Sequence, residues 1–486
     1  MRTLMVWLIG LGVATAAPPA QQLDGWWRTA VVMNDQEATF FLHFEADEDD
    51  APIVSMSLPI MRVQDAPIGS YVATDSTLSL PGLSWELSIA ADGAVIEGRM
   101  PASMVGDLEV AARFERSDAP PPPPVLIGAE EPPASAWTAR VDAEVWAGLA
   151  YDTHHDLLFV GADDGRLSSF QGSTGETAWS KDLGAPIRAT PTLHDGRIYV
   201  ATDLALYVLE ANTGDRVWSV SFGQPLSPRL AISEANARWD HYASSAAVDQ
   251  DLVVVGARDG CVYALASASG TQRWRTCTED IVTTTPAITD HAVFIGGFDG
   301  TAYALSRENG SQLWHHDTGA PIPSDAVLAG DTVLFGSRSS DLLALNAATG
   351  ELVWKYYYWS SWIDAAPVVR DGVIYVGSSD LLAVLALDAG TGKERWSTPA
   401  PGWTWPRPAV GGSAVYVGAV GAAQYWSPRE AALLCLDRQT GALRWIFRPE
   451  HTEGNPLFGF ASSPVVDDIR VFAVDLEGVI YAFDDP

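Results

Sequence analysis

The sequence predicts an all-β protein whose larger part is an eight-bladed β-propeller. After residue 135, a Gly followed four residues later by a Trp recurs along the chain. Most of these Trp residues are spaced by about 40 residues, the period of a four-stranded propeller blade. Short β-branched or apolar runs between them are typical of strands. The pairs are Gly175/Trp179, Gly214/Trp218, Gly270/Trp274, Gly310/Trp314, Gly350/Trp354, Gly392/Trp396 and Gly441/Trp445.

One repeat shows the four strands of a blade, A to D, in order. Residues 365–369 predict strand A, and residues 373–376 and 384–387 predict strands B and C, because each run is apolar and bounded by turn residues. The turn at residues 388–392 is rich in residues that tolerate positive φ, so it closes a hairpin onto strand D, which carries Trp396.

The two ends of the repeat region complement each other. Residues 462–466, 470–474 and 479–483 predict strands A to C of an eighth blade, with no Trp after them. Trp137 precedes Trp179 with no strands A to C of its own. We therefore expect residues 137–141 to be strand D of the last blade, which leaves the ring without a free edge. The Trp residues interpreted as packing between blades are Trp137, Trp179, Trp218, Trp274, Trp314, Trp354, Trp396 and Trp445.

The repeat ending Ala-Leu-Asp-x-x-Thr-Gly-x-x-x-Trp, seen at residues 386–396 with close copies at 211–218 and 345–354, resembles that of the pyrroloquinoline quinone (PQQ)-like propellers. This family includes quinoprotein dehydrogenases as well as cofactor-free propellers such as the periplasmic BamB-type assembly lipoprotein. The resemblance implies the propeller fold for residues 136–486. It does not settle the function, because one fold hosts many functions.

The N-terminal part of the chain predicts three further segments. Residues 1–17 resemble a cleaved signal peptide, so we expect a periplasmic or extracellular protein. Residues 18–117 contain short alternating runs that predict a small antiparallel β-barrel or meander, whose interior holds either a small apolar ligand or a filled core. Residues 118–135 form a Pro-rich linker that favours a semi-rigid spacer.

The net charge and the anchoring signals of the sequence restrict which partners and which membrane attachment are expected. The formal net charge is −32 with a pI of about 4.4, which argues against binding to nucleic acid. No Cys lies near the predicted cleavage site, unlike the BamB-type lipoprotein pattern, and no later segment resembles a transmembrane helix. We therefore predict a monomer without membrane insertion or a lipid anchor.

Residues typical of catalysis are sparse. Quinoprotein dehydrogenases bind the quinone with a metal ion and a catalytic Asp, and many carry adjacent disulfide-linked Cys; this chain has three separated Cys. Cys261 and Cys277 lie opposite each other on strands C and D of one blade, which leaves both a disulfide and free thiols open, and Cys435 is expected to be a buried thiol. No metal site, bound cofactor or catalytic residue is predicted.

The irregular residues concentrate on one face. The D–A and B–C connections of a blade emerge on the same face, and the two long connections, residues 223–241 and 419–431, belong to this set. Extra aromatic residues follow the same geometry and predict a recognition surface, unless they only fill the funnel between loops. They are Trp146, Trp239, Trp359, Trp362, Trp403, Trp405 and Trp426, with Tyr242 and Phe460.

The starts of strands A should surround the propeller axis. Successive blades place there Trp146, Arg188, His241, Thr284, Asp325, Asp364, Arg407 and Ser462. This polar mouth could bind a sugar, an anion or a peptide, or its Arg and Asp residues could pair internally.

The leading hypothesis is a non-catalytic binding or scaffold protein that holds a protein or extended ligand on its D–A/B–C face. The alternatives are a PQQ- and calcium-dependent oxidoreductase with an atypical site, and a carbohydrate-binding module.

Overall fold

The computed structural model describes residues 23–33, 36–47, 51–59, 63–100, 110–120, 126–231, 234, 238–359, 361–423 and 429–484. The predicted signal peptide and Trp426 lie outside these residues. Two compact units divide the chain between Pro123 and Pro124. The described elements are β-strands and one short 3-10 helix, Pro81–Leu83, so the all-β prediction is confirmed.

A nine-stranded antiparallel sheet forms the N-terminal unit. Its order is β4-β3-β2-β1-β9-β8-β7-β6-β5. The outer strands β4 and β5 are consecutive in the chain, so the sheet curls into a nearly closed barrel. The strands are β1 (Gly25–Met33), β2 (Gln36–Ala46), β3 (Pro52–Leu58), β4 (Val63–Ser70), β5 (Val72–Ala73), β6 (Thr77–Leu80), β7 (Trp85–Ile89), β8 (Val95–Arg99) and β9 (Ala111–Ser117).

Side chains fill the described interior of this barrel. Trp27, Phe44, Phe114 and Leu78 are fully buried. The Trp27 indole donates a hydrogen bond to the backbone oxygen of Leu23, which satisfies the polar atom that its burial removes from water. The arrangement is the filled core that the sequence left as one of two alternatives.

Seven four-stranded sheets and one five-stranded sheet form the eight blades of the second unit, which confirms the predicted propeller. The first four blades consist of β11 (Ala150–Asp152), β12 (Leu157–Gly161), β13 (Arg166–Gln171) and β14 (Thr177–Asp182); β15 (Thr192–His194), β16 (Arg197–Ala201), β17 (Ala205–Glu210) and β18 (Arg216–Ser221); β19 (Ala247–Asp249), β20 (Leu252–Gly256), β21 (Cys261–Ala266) and β22 (Gln272–Cys277); and β23 (Ala287–Ile288), β24 (Ala292–Gly296), β25 (Thr301–Ser306) and β26 (Gln312–Asp317).

The remaining blades complete the ring. They consist of β27 (Val327–Ala329), β28 (Thr332–Gly336), β29 (Asp341–Asn346) and β30 (Leu352–Tyr357); β31 (Val368–Arg370), β32 (Val373–Val376), β33 (Ala383–Asp388) and β34 (Glu394–Pro399); β35 (Ala409–Val410), β36 (Ala414–Gly421), β37 (Ala432–Asp437) and β38 (Leu443–Phe447); and β40 (Val465–Val466), β41 (Arg470–Val474), β42 (Val479–Asp484) and β10 (Ser135–Arg140). The short strand β39 (Phe458–Gly459) pairs with the extended end of β36.

The eighth blade is closed by the predicted N-terminal strand. Strand β10 runs antiparallel to β42, and Trp137 pairs with Ala482 in the register of the two strands. This pairing joins residues from opposite ends of the propeller sequence. The ring is therefore closed by hydrogen bonds rather than by a continuous chain.

The repeated Trp of one blade packs on the repeated Gly of the next. The Trp314 indole donates a 3.0 Å hydrogen bond to the Ala347 oxygen, and a Cβ added to Gly350 would lie 2.7 Å from the same indole. Gly350 has a φ of +75°, a conformation that other residues rarely adopt. The same contact joins Trp137 to Gly175, Trp179 to Gly214, Trp218 to Gly270, Trp274 to Gly310, Trp354 to Gly392 and Trp396 to Gly441.

Part of the predicted linker docks on the seventh blade. The backbone N–H groups of Ala129 and Glu130 donate to the oxygens of Leu443 and Arg444 on strand β38, at 3.3 Å and 2.7 Å. Leu126 packs against the core between the sixth and seventh blades. The expectation of a spacer throughout residues 118–135 is therefore wrong for this segment, because strand β38 is an edge strand with backbone groups left to pair. Residues 121–125 lie outside the described part of the chain.

The third blade carries a disulfide bond. Cys261 begins β21 and Cys277 ends β22, and the two residues are directly opposed in the antiparallel register. Their Cα atoms are 3.9 Å apart and their sulfur atoms are bonded. Cys435 is a buried free thiol in the seventh blade.

Replacing Gly350 by Ala tests the contact between blades. We expect Gly350→Ala to destabilise the propeller by about 2–4 kcal/mol, because the new methyl group meets Trp314 and because positive φ is unfavourable for Ala. Gly330→Ala is the matched control, since Gly330 also has positive φ but its added Cβ meets nothing within 4 Å. The control should lose only about 1–2 kcal/mol. Urea denaturation followed by Trp fluorescence measures both, and equal losses would contradict the packing role.

Candidate functional site

The described end of the D–A connection between the second and third blades lies over the propeller axis. It closes the end of the axis at the D–A/B–C face, which we call the upper end. Trp239 lies in this connection, with its ring centre 6.2 Å from that of Trp146 and 5.4 Å from that of Trp405. Trp146 precedes the first blade and Trp405 lies between the sixth and seventh blades, so one indole bridges distant parts of the ring. The Tyr242 hydroxyl donates a 2.6 Å hydrogen bond to the Ala461 oxygen near the eighth blade. We call Trp146, Trp239, His241, Tyr242 and Trp405 the axial plug.

The predicted aromatic residues are mostly not exposed. Side chains buried in the described structure are Trp146, Trp239, His241, Trp359, Asp364, Trp403, Trp405 and Phe460. Those that are half-buried are Arg188, Tyr242, Asp325 and Trp362, and Arg407 is exposed. The described Trp residues therefore do not form an exposed recognition surface, because most of them pack against each other over the axis. The aromatic residues fill the funnel between loops, which is the other alternative that the sequence left open.

His241 occupies an unusual position at the centre of the plug. Its ring is stacked on Trp239 with centres 4.4 Å apart, and it lies 4.9 Å from Trp405. Both ring nitrogens are buried and have no hydrogen-bond partner among the described residues. Burial lowers the pKa of His241 well below its usual value, and the positive charges of Arg338 and Arg188 lower it further. The ring is therefore neutral at ordinary pH.

Two of the predicted axial charges form internal ion pairs. Arg188 donates to both carboxylate oxygens of Asp163, at 2.8 Å and 2.5 Å. Arg338 donates to both oxygens of Asp364, at 3.1 Å and 2.9 Å, and each of these side chains is 1% exposed. The Arg338 guanidinium also lies 4.4 Å from the centre of a Trp362 ring. Such bidentate pairs fix the D–A and B–C connections to each other.

The partners Asp163 and Arg338 were missed by considering only the starts of strands A. Both residues lie two positions after the last residue of strand B, where the B–C connection begins. A charged residue at this repeated position is a signal that could have found them.

The plug segment has its own buried charges. Arg229 donates to Asp203 at 2.7 Å and to Asp240 at 2.7 Å. The guanidinium of Arg258 contacts the same Asp240 carboxylate. Sequence reasoning missed this group as well, because its members come from three different connections of the second and third blades.

A cleft on the D–A/B–C face lies beside the plug. It has a volume of about 550 Å³ and is lined by Arg140, Asp142, Ala143, Glu144, Trp146, Arg188, Leu230, Ala231, Trp239, Thr452, Asn455, Pro456, Leu457, Leu476 and Glu477. These residues belong to D–A connections and to the B–C turn of the eighth blade. Of the predicted site residues, Trp146, Arg188 and Trp239 meet here.

Glu477 organises one wall of the cleft. Its carboxylate accepts hydrogen bonds from the Thr452 backbone and hydroxyl, at 2.6 Å and 2.9 Å, and from the Asn455 amide at 2.9 Å. Burial alone would raise the pKa of Glu477, but the hydrogen bonds from Thr452 and Asn455 outweigh it and lower the pKa. A charged Glu477 therefore ties the last D–A connection to the B–C turn of the same blade.

A second recess, the axial cavity, lies below the plug along the inner strands. Its volume is about 420 Å³, and Tyr242 and Trp405 form the part of its wall nearest the D–A/B–C face. Asp325, Asp364, Arg188 and Arg407 line it. The structure thus divides the predicted residues between two recesses at different depths, with Arg188 lining both, rather than placing them around one mouth.

The comparisons with known proteins agree with this architecture. A family model described as outer membrane protein assembly factor BamB matches residues 130–237, 206–379, 299–418 and 382–485. The matches together cover the whole ring of blades. The chain belongs to this BamB-type family of PQQ-like propellers.

Solved structures share the BamB-type propeller fold. BamB from Moraxella catarrhalis is 19% identical, with a TM-score of 0.55 over 73% of this chain and 100% of that one. The computationally designed Ika8 protein is 18% identical, with a TM-score of 0.58 over 73% and 100%. Quinohemoprotein alcohol dehydrogenase from Comamonas testosteroni is 12% identical, with a TM-score of 0.53 over 72% and 76%. At these identities the likeness shows the fold alone.

A curated relative matches only a short part of this BamB-type protein. The serine/threonine-protein kinase AfsK of Streptomyces griseus is 31% identical over 121 residues, which is 25% of this chain and 14% of that protein. The chain therefore spans only 14% of the length of the curated relative it matches.

The described residues contain neither a membrane-spanning helix nor a cluster of metal ligands. No helix among them has the length and apolar character needed to cross a bilayer. No three His, Cys, Asp or Glu side chains in this part of the chain lie close enough together to share a metal ion.

Replacing His241 by Phe tests the neutral state of the buried imidazole. The folded-state pKa lies below the unfolded value of about 6.5, so the unfolded chain binds the extra proton first as the pH falls. His241 should therefore cost stability progressively below about pH 6.5, by at most about 1.4 kcal/mol per pH unit. Phe fills the same aromatic cage and carries no proton.

Urea denaturation of the parent and His241→Phe from pH 7.5 to 4.5 measures the difference in slope. The exposed His291→Gln change is the matched control and should leave the slope unaltered. An identical pH dependence in the parent and His241→Phe proteins would contradict this. It would show that the imidazole gains its proton as readily in the folded chain as in the unfolded chain over this pH range.

Proposed function

We propose that this chain is an exported, non-catalytic binding protein that holds an extended segment of a protein partner on its D–A/B–C face. The observation that carries the proposal is the cleft of about 550 Å³ on that face, formed by connections of several blades. Connections on a rigid scaffold are the usual place for binding residues. Membership of a family described as an assembly factor supports a scaffold role.

The chemistry of the cleft supports a peptide segment as the occupant. Leu230, Leu457 and Leu476 supply apolar surface, while exposed Arg140 and Asp142 lie at its rim. An apolar floor with a rim of both charges is typical of protein interfaces. The hydrogen bonds of Glu477 hold one wall in place, so little ordering would be needed on binding.

The oxidoreductase alternative receives less support from the residues that are present. A calcium ion requires six to eight oxygen ligands. Of the two carboxylates in the axial cavity, Asp364 gives both oxygens to Arg338, and Asp325 accepts a 2.7 Å hydrogen bond from the Thr285 backbone. The plug side chains occupy the upper end of the axis. The described residues therefore do not fit the quinone and its metal ion.

The carbohydrate-binding alternative is also less favoured. Sugar binding by stacking needs exposed aromatic faces, and the described Trp residues of the plug are buried against each other. A polar cavity alone does not identify a sugar.

Site-specific photo-crosslinking tests the binding face. A photoreactive amino acid at Asp142, whose side chain is fully exposed, should crosslink to one or a few proteins in the cells that produce this chain. The change Glu477→Ala should reduce that product about tenfold, because the wall formed by residues 452–457 loses its charged hydrogen-bond partner. Mass spectrometry of the crosslinked band identifies the partner.

The matched control places the same photoreactive group at Asp290, in the A–B turn of the fourth blade on the opposite face. This position should give no specific product. Equal crosslinking from both faces, or none from Asp142, would overturn the proposal.

A further inference from the structure

Eight residues, one from each blade, surround the axial cavity at the same depth. Backbone N–H groups of one blade donate to the side chain of the next: Gly148 to Thr190 at 3.1 Å, Thr285 to Asp325 at 2.7 Å, and Arg407 to Ser463 at 3.0 Å. Equivalent positions in the other blades complete the set. We call this set the axial ring, and its members are Gly148, Thr190, Ser245, Thr285, Asp325, Ala366, Arg407 and Ser463, all of which line the cavity.

The axial ring carries one carboxylate and one guanidinium that do not pair with each other. Among the described residues, Arg407 makes no ion pair within 4 Å, and Asp325 accepts only the Thr285 hydrogen bond. The charges of Arg188 and Asp364 differ, because Asp163 and Arg338 neutralise them. Burial raises the pKa of Asp325, and the charge of Arg407 lowers it in part, so the two groups face the same space.

A small residue separates these two charges. Asp325 belongs to the fifth blade and Arg407 to the seventh, and the ring residue between them is Ala366 of the sixth. Ala366 leaves room where any larger side chain would fill the space between the charges. The cavity therefore presents a negative and a positive group on either side of a gap.

The next layer of the cavity is apolar. Two residues further along the inner strands, apart from Thr192 of the second blade, the wall consists of Val368, Ala409 and Val465, with Val410 and Val466 beyond them. This layer lies toward the A–B turns, away from the plug. A ligand with a charged head at the axial ring would thus place an apolar tail along these side chains.

We propose that the axial cavity binds a free α-amino acid with an apolar side chain, its ammonium group on Asp325 and its carboxylate on Arg407. Thr190, Ser245 and Ser463 provide hydroxyl groups in the same ring. The charge of the partly buried Asp325 is costly without a partner, and a zwitterion compensates it while its carboxylate meets the exposed Arg407. The reverse orientation would place like charges together, and in the proposed one the guanidinium can bind the carboxylate through two parallel hydrogen bonds. The site does not involve the cleft on the D–A/B–C face.

Calorimetric titration of the full chain with leucine, valine, isoleucine, methionine and phenylalanine tests the proposal. At least one should bind, and 4-methylpentanoate and 3-methylbutylamine, which each lack one charge of leucine, should bind at least about tenfold more weakly than leucine if leucine is that ligand. Asp325→Asn and Arg407→Gln should each weaken binding by a similar factor. Ala366→Leu should abolish binding while leaving both charges in place.

Matched controls are Asp290→Asn and Arg216→Gln, which make the same charge changes at exposed positions away from the axis. Both should bind the ligand as the parent does, and circular dichroism should show native strand content for every variant. Binding of the lone carboxylate as tightly as the amino acid would overturn the proposal. So would unaltered binding by Ala366→Leu, or no heat with any of the five amino acids. None of these results depends on a protein partner, so they are separate from the crosslinking outcome.

Discussion

The propeller depends on one repeated contact, in which the Trp of an outer strand lies against a Gly of the next blade at seven of the eight blade junctions. The indole N–H finds a backbone oxygen there, and the absence of a Cβ lets the ring approach the turn closely. The contact between Trp137 and Gly175 is the same as the others, although Trp137 comes from the N-terminal strand that completes the eighth blade. Closure of the ring therefore uses the same contact as six other blade junctions, whereas at the junction of the seventh and eighth blades Trp445 packs against Phe483.

A closed ring leaves an axis that must be filled or solvated. In this protein the upper end is filled by aromatic side chains, and the connections around it are held by ion pairs such as Arg338 with Asp364. Burying such a pair is costly unless its hydrogen bonds are well made, and both oxygens of Asp364 are used. The axis is therefore closed at its upper end by a fixed set of side chains, in contrast to an open tunnel.

The plug gives the two recesses different chemistry. The cleft on the D–A/B–C face combines leucine side chains with a charged rim and is formed by connections, which vary freely between propellers. The axial cavity is lined by the inner strands and by the residues just before them, at the same position in each blade, so the regular repeat positions its charges. A partner segment and a small zwitterion are accordingly suited to different parts of one scaffold.

Features that arise from local patterns could be predicted from the sequence alone. The period of the Gly and Trp pairs determined the blades, the closing strand at Trp137 followed from counting, and the opposed Cys261 and Cys277 were recognisable because a hairpin register is local. In the N-terminal barrel, strands β4 and β5 give a weak sequence signal, because Pro67 interrupts the pattern of one and the other has only two residues.

The burial of Trp239 and Trp405, the ion pairs of Arg188 and Asp364, and the two depths along the axis were decided only by the tertiary structure. Each depends on loops from blades that are far apart in the chain meeting at one point. Periodicity specifies which residues share a position in every blade, but it contains no information about how irregular connections fold over the centre.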